Sequence, residues 1–422
     1  MIYSKLLLEV MSAVVLLLIF FWLFIYFEII EKKERKKSIK KSPKIAVIIP
    51  TLFEGEDLRL SVNSILNSNY PKNKIKIYIG LNKATDEKTR KVAYSFLKKD
   101  VEVVDTKING KAAVMNYIIK NKVKEEFIAS LDADSIADKD MLRKLIVPFK
   151  DREVGAVTPS VAVYNPKKFV QSIQKYDYIF SIVLRKAFSF VGNLMVAPGP
   201  GSIFRKTAIE KIGYFDEKNI TEDMEIAIHL LVEGYKVENV IDAFSYTIVP
   251  STFYSLFKQR GRWYSGFFYN MLKYRKRIMN DKNNGRIDKN IMIMIFASVF
   301  FSIVALPLVG YYIYYYISTI LISISTVGIN FSLQELHQLL IDSFYSIDTL
   351  SFIGIFLLVF GIYSLFYALK AVTKKIETVK DTIYIALYVT LFSYFLGLTW
   401  LYGFINATLL NKRIEWKIKS RN

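Results

Sequence analysis

The stretch "FIASLDADS", residues 127 to 135, is a short apolar run that stops at two carboxylates, Asp132 and Asp134, on either side of one alanine. It is the fourth of a series. "KIAVIIP" (44–50), "IKIYIG" (75–80) and "VEVVD" (101–105) are equally short and rich in β-branched residues. Between them lie stretches with helical patterning at 56–67, 86–99 and 110–121. That alternation predicts an α/β domain over residues 44–250, a mostly parallel sheet covered by helices. Ligands of such sheets bind beyond the carboxyl ends of the strands, so the polar residues after each run bear on chemistry.

Composition bounds that chemistry. The 422 residues carry a net charge of +20, yet 52% are hydrophobic, a pairing that joins basic aqueous parts to membrane parts. The chain has no cysteine, which excludes disulfides, iron–sulfur clusters, thiolate zinc sites and a cysteine nucleophile. Its two histidines, His229 and His337, stand far apart and argue against a histidine zinc site. A metal here should be a hard cation on oxygen ligands.

Residues 6–30 are apolar and long enough to span a bilayer; the run is too long for a cleaved signal peptide, and no small-residue cleavage site follows. The next segment, 31–44, holds eight Lys or Arg, whereas only Lys5 precedes the apolar run. The positive-inside rule then places the amino terminus outside and the α/β domain in the cytoplasm. These basic runs hug the apolar segments and lack interleaved aromatics, which favours anionic lipid headgroups over nucleic acid. Further apolar segments occur at 291–331, 351–369 and 382–410. The first is about twice the length one crossing needs. It is either one helix kinked near Pro307 or a tight hairpin. Residues 332–349 carry Glu335, Asp342 and Asp348 with no Lys or Arg, which favours an outside loop and a single crossing; the basic tail 411–422 argues the other way. One amino-terminal and about three carboxy-terminal transmembrane helices are expected, with five in total as the alternative. The division that follows is 1–31 (first helix), 32–250 (cytoplasmic α/β domain), 251–289 (interfacial amphipathic helices) and 290–422 (carboxy-terminal helices).

Five motifs bear on function. Asp132 and Asp134 can hold a divalent cation and through it a diphosphate, although a chance turn gives the same pattern. In "TEDMEIAIHLLVEGY", Thr221 reads as a helix N-cap and Gly234 as its stop, so Glu222 and Asp223 fall in the first turn. Carboxylates there complement the helix dipole; alternatively one of them is a general base. In "NGKAAVMN" (109–116), Gly110 permits a turn and Lys111 offers a cation to phosphates. "APGPGSIFRK" (197–206) reads as a loop whose Gly199, Pro200 and Gly201 allow a backbone to approach a sugar closely.

The fifth is "QRGRW" (259–263), ahead of the apolar segments. At helical spacing Gln259, Arg262 and Trp263 share a face. Tryptophan between arginines suits membrane anchoring; it also suits stacking on a sugar ring, with arginine on a diphosphate.

In order and approximate spacing these elements resemble the processive family 2 glycosyltransferases: hyaluronan, chitin, cellulose and poly-N-acetylglucosamine synthases. The resemblance covers residues 44 to about 270. It implies a GT-A type α/β domain that binds a nucleotide-diphosphate sugar, with a UDP-sugar as donor. "IPTLFE" is similar to the family's opening segment, which would place Pro50, Thr51 and Glu54 in the nucleotide pocket; Leu52 and Phe53 depart from its usual Tyr and Asn. Asn82 stands where many members carry an aspartate facing the base. Lys111, Gln259 and Arg262 would join Asp132 and Asp134 on the donor. Asp223 would be the base of an inverting transfer beside Glu222, with Mg²⁺ or Mn²⁺ on Asp134 and Asp132. Trp263 and the Gly199–Pro200–Gly201 loop would meet the acceptor. A multi-pass enzyme of the cell membrane with a cytoplasmic catalytic domain is implied, most simply a polysaccharide synthase. Addition of one sugar to a lipid-linked acceptor is the alternative reading, and a catalytically dead membrane scaffold the non-enzyme one.

Overall fold

Every residue of β1 (Ile45–Thr51) is buried, because alternate side chains serve two different layers. Ile45, Val47 and Ile49 pack with Leu58, Val62 and Ile65 of the helix Asp57–Leu66. Ala46 and Ile48 face the other way, onto Val114 and Ile118 of the helix Lys111–Asn121. The result is a sheet with helices on both faces. The computed structural model describes residues 42–98, 100–280, 285–293 and 378–409, with scattered helical positions between 314 and 370.

The sheet continues with β2 (Ile75–Leu81), β3 (Val101–Asp105), β4 (Phe127–Ser130), β5 (Ser135–Ala137), β6 (Val154–Val163), β7 (Ile203–Arg205) and β8 (Lys236–Thr247). Their spatial order is β3-β2-β1-β4-β7-β6-β8-β5. The first four pair in parallel, each crossover being one of the expected helices. The second half departs from the expected pattern. β6 and β8 run parallel, but β4–β7, β6–β7 and β5–β8 are antiparallel, so the sheet is mixed. β5 and β7 are three residues long, too short to carry a period that sequence reading could detect.

Two long helices extend beyond the sheet. Phe169–Phe190 packs on β6 and β8, and Phe253–Ile278 lies against the helix Glu222–Val232. Both also meet a helix, Val379–Leu409, that is long and apolar enough to cross a membrane and coincides with the span expected at 382–410. Its Trp400 ring stacks on Tyr264 at 4.6 Å. The segments expected to cross at 6–30, 291–331 and 351–369 lie outside the described residues for all but a few positions.

Candidate active site

From β1 the chain builds the sheet outward through β2 and β3, then returns to add β4 on the other side of β1. That reversal opens a crevice beyond the carboxyl ends of β1 and β4, where α/β sheets bind ligands. Thr51 ends one strand, and Asp132 follows the other by two residues. Into this crevice come three elements distant in sequence. Lys111, at the start of its helix, places Nζ 2.7 Å from Asp132 Oδ1 and 2.9 Å from Glu222 Oε1. Burial would lower the lysine, but Asp132, Glu222 and Asp223 together hold it well above its ordinary value.

Glu222 and Asp223 open the helix Glu222–Val232 as expected, and Gly234 ends it with a positive φ of 85°. Thr221 stands at the N-cap position, but its hydroxyl does not cap the helix. It donates to Asn219 and accepts from Asn270, each at 3.2 Å, in a buried polar knot. Gly266 faces this knot, and any β-carbon there would overlap the Thr221 side chain. The absence of one side chain thus seats the Phe253–Ile278 helix directly against the Thr-Glu-Asp turn.

The two acids of that turn titrate in opposite directions. Burial, and then the Glu222 charge, push Asp223 up to about 6. Burial works on Glu222 too, but Lys111 and then Arg262 outweigh it and hold that carboxyl below its ordinary range. Neighbouring carboxylates whose environments split their titrations are a common way of assigning a proton acceptor and an ionised partner.

The loop carrying Gly199, Pro200 and Gly201 closes one wall. Gly201 N–H donates to Ser130 O at 2.8 Å, Ser202 Oγ to Pro198 O at 2.6 Å, and Ala197 N–H to Asp223 O at 2.9 Å. A β-carbon on Gly199 would lie 2.5 and 2.6 Å from the Asp132 carboxylate oxygens and 2.7 Å from Lys111 Nζ. Those atoms are side-chain ends and can swing aside, so Gly199→Ala should spare the fold and break the ion cluster. Its expected result is a loss of at least about tenfold in kcat/KM with an unchanged melting temperature, read by transfer kinetics and circular dichroism.

Residues expected on the donor's nucleotide side line the ends of β1 and β2. Thr51 Oγ1 donates to Gly80 O at 3.1 Å, in the strand pair where Pro50 lies opposite Gly80. Glu54 accepts from Leu52 N–H at 2.6 Å, and buried Asn82 accepts from Ala84 N–H at 3.0 Å. These contacts brace the strand ends and the turns that follow them. Arg262 reaches the site from its helix, donating to Ile220 O at 2.8 Å. Half-buried Trp263 packs with Tyr178, Val161 and Val249. Gln259 Oε1 is buried and without a hydrogen-bond partner.

Several supporting residues escaped the sequence reading. Ser61 Oγ sits 3.3, 2.8 and 2.6 Å from the carbonyls of Asp132, Ala133 and Ser135 and so braces the Asp-x-Asp turn. Asn116, noted only as part of a motif, donates to Phe215 O and Glu217 Oε1 and accepts from Phe215 N–H, fixing the approach to Thr221. Arg260 is buried and forms an ion pair with Asp177. No local pattern marks these residues; only their distant partners do.

Asp132 and Asp134 offer two hard oxygen donors at one strand end. No group of three or more His, Asp or Glu side chains is placed to enclose an ion among the described residues. The pair therefore fits a hard divalent cation that draws its other ligands from phosphate oxygens and water, and does not fit an all-protein cage.

Comparison with known proteins places the chain among glycosyltransferases. The poly-β-1,6-N-acetyl-D-glucosamine synthase of Staphylococcus epidermidis strain RP62A is 30% identical over 250 residues, 57% of this chain and 60% of the relative. That of Staphylococcus aureus strain COL is 29% identical over 246 residues, 56% of this chain and 59% of the relative. The chain thus spans about three fifths of the length of these curated relatives. Among solved structures, a mannosyltransferase of Pyrobaculum calidifontis in complex with GDP-mannose and Mn²⁺ superposes with a TM-score of 0.52 at 19% identity. It covers 86% of this chain and 98% of the mannosyltransferase, a likeness of fold. The sheet is accordingly that of a GT-A-like glycosyltransferase. A family model described as "Glycosyl transferase family group 2" matches residues 127–406, from β4 through the crevice motifs to the apolar helix, and the chain belongs to that family.

Proposed function

We propose that the protein is a membrane-bound inverting glycosyltransferase that moves a sugar from a UDP-sugar to a growing glycan, as a polysaccharide synthase. The observation that carries the reading is the Asp223 carboxylate, raised to about 6, beside the Lys111–Asp132–Glu222 cluster. Identity to synthases of poly-N-acetylglucosamine supports the glycan product and makes UDP-N-acetylglucosamine the first donor to try.

In this reading Asp223 accepts the proton of an acceptor hydroxyl. The freed oxygen bonds to the anomeric carbon as the bond from that carbon to the diphosphate oxygen breaks on the opposite face, which inverts the configuration. Lys111 and Arg262 stabilise the charge that gathers on the departing diphosphate. Glu222 stays ionised, orients Lys111 and keeps Asp223 basic. Trp263 offers its ring to the acceptor sugar, and Gly199–Pro200–Gly201 leave room for that sugar beside the cluster. Pro50, Thr51, Glu54 and Asn82 wall the nucleotide, and Gln259, whose Oε1 has no partner among the described residues, would hydrogen-bond the donor. Asp132 and Asp134 would hold Mg²⁺ or Mn²⁺, which when bound offsets charge on the diphosphate. The catalytic domain is cytoplasmic and the helices multi-pass, so the product meets the bilayer beside the Phe253–Ile278 helix.

Product length tests the proposal. Membranes containing the protein receive labelled UDP-N-acetylglucosamine, UDP-glucose, UDP-glucuronate or UDP-galactose, singly and in pairs. Glycosidase-sensitive material of high molecular weight is the expected product. A single sugar in the lipid extract would instead identify a lipid-acceptor transferase, and no transfer from any donor would discard both. Chelation with EDTA should reduce transfer by at least about a hundredfold, restored by Mg²⁺ or Mn²⁺. Undiminished transfer would remove the cation.

A further inference from the structure

Asp177, on the helix Phe169–Phe190, is 5% exposed and bridges two other helices. One carboxylate oxygen accepts from the Arg260 guanidinium, and the other from the Tyr388 hydroxyl at 3.2 Å. Tyr388 opens a π-helical turn, Tyr388–Phe392, within the apolar helix. Such turns in otherwise regular helices recur at functional sites. Arg260 lies 4.4 Å from the centroid of the Trp263 ring, within the range of a cation–π attraction. A reciprocal contact sits nearby: buried Asp381 of the apolar helix accepts from the Tyr176 hydroxyl, with Lys175 Nζ at 3.6 Å. Each helix thus supplies one carboxylate and one tyrosine to the other.

A buried ion pair is a poor way simply to join helices, since well-packed apolar residues of the same volume do so at least as well. What it adds is direction. The Asp177 carboxylate leaves the guanidinium few orientations, and the guanidinium in turn restrains the indole. The contact would be idle if Trp263 were only a membrane anchor, because an anchor needs no fixed ring angle.

We propose that Asp177 is a positioning residue for the acceptor: it clamps Arg260 against the Trp263 ring and ties both to the apolar helix through Tyr388. The indole is thereby held at a set attitude to the Asp223 carboxylate. This rests on reading Trp263 as the platform for the acceptor sugar, and the experiment separates the two ideas. Full-length protein in membranes is assayed with UDP-N-acetylglucosamine as donor and a β-1,6-linked N-acetylglucosamine tetrasaccharide as acceptor, each varied in turn. Asp177→Asn should raise the acceptor KM by about tenfold while kcat changes by less than about threefold. Tyr388→Phe, which deletes one hydroxyl and keeps the ion pair, should raise it in the same direction by about threefold. The double variant with Trp263→Ala should be no worse than Trp263→Ala alone, since both act through one ring. If Trp263→Ala leaves the acceptor KM unchanged, the platform reading falls and the clamp with it. If Trp263→Ala raises it and neither Asp177→Asn nor Tyr388→Phe does, the platform stands and the clamp is overturned. A fall in kcat for both Asp177→Asn and Tyr388→Phe with no change in acceptor KM assigns the bridge to structure alone and also overturns it. Should Asp177→Asn not fold, Tyr388→Phe decides.

Discussion

Asp223→Asn should reduce sugar transfer by about a thousandfold, the middle of the range for removing a positioned general base. The amide keeps the size of the carboxylate and can still accept from Met224 N–H, as the carboxylate does at 2.9 Å. Loss of activity can therefore be assigned to the missing proton acceptor. The variant should also melt no lower than the wild type at neutral pH. An acid whose folded pKa is raised, here to about 6 from 3.8, binds its proton more tightly folded than unfolded. Its contribution to stability is greatest at low pH and is lost as pH rises from 3.8 toward 6, so at pH 7 the ionised group is a cost. Asparagine removes that cost. Transfer assays and melting curves at pH 5 and pH 7.5 check both halves; near-normal turnover in a folded Asp223→Asn protein would end the assignment.

The same titration gives the wild type an acid limb. Asp223 must be ionised to accept a proton, so kcat/KM should rise tenfold per pH unit below about 6 and level off above it. A flat profile from pH 5 to 8 would contradict the role.

How much of this was legible in the chain depended on the range of each interaction. β1 to β4 and their helices could be read because each strand is a short run rich in β-branched residues, with β1, β2 and β4 buried on both faces, and each helix lies between its strands. Their parallel order followed from the alternation alone. β7 could not be read: three residues carry no period, and its antiparallel pairing with β4 depends on a loop that turns back at Gly201. The site shows the same division. Lys111, Asp132 and Glu222 could be named from motifs, but that one lysine bridges both acids is a fact of three-dimensional approach. Helical spacing correctly grouped Gln259, Arg262 and Trp263 on a turn and left Arg260 as a bystander. Arg260 is nonetheless the buried one, 5% exposed, because its counter-charge comes from Asp177, 83 residues earlier. A lone buried arginine is improbable on composition, and nothing near it in sequence announces its partner.

Lys111 is the residue whose removal should tell most about the cluster. Asp132, Glu222 and Asp223 face two cations, Lys111 and Arg262. With Lys111→Ala only Arg262 remains, and the three acids repel one another in a half-buried crevice. Removing a cation that stabilises a departing diphosphate should by itself reduce kcat by about a hundredfold or more. A second effect distinguishes this from simple loss of shape. Lys111 is among the charges that lower Asp223 against burial and Glu222, so without it the base should titrate higher. The acid limb of the residual activity should move to higher pH, and raising the pH should recover part of the loss. Lys111→Arg keeps the charge but replaces a compact ammonium with a planar fork, so it should restore the position of the limb better than the rate. A pH profile of Lys111→Ala whose midpoint coincides with that of the wild type would separate the lysine from the base. It would leave Lys111 as a donor contact alone, and the opposed titrations of Glu222 and Asp223 would then need a cause outside the ion cluster.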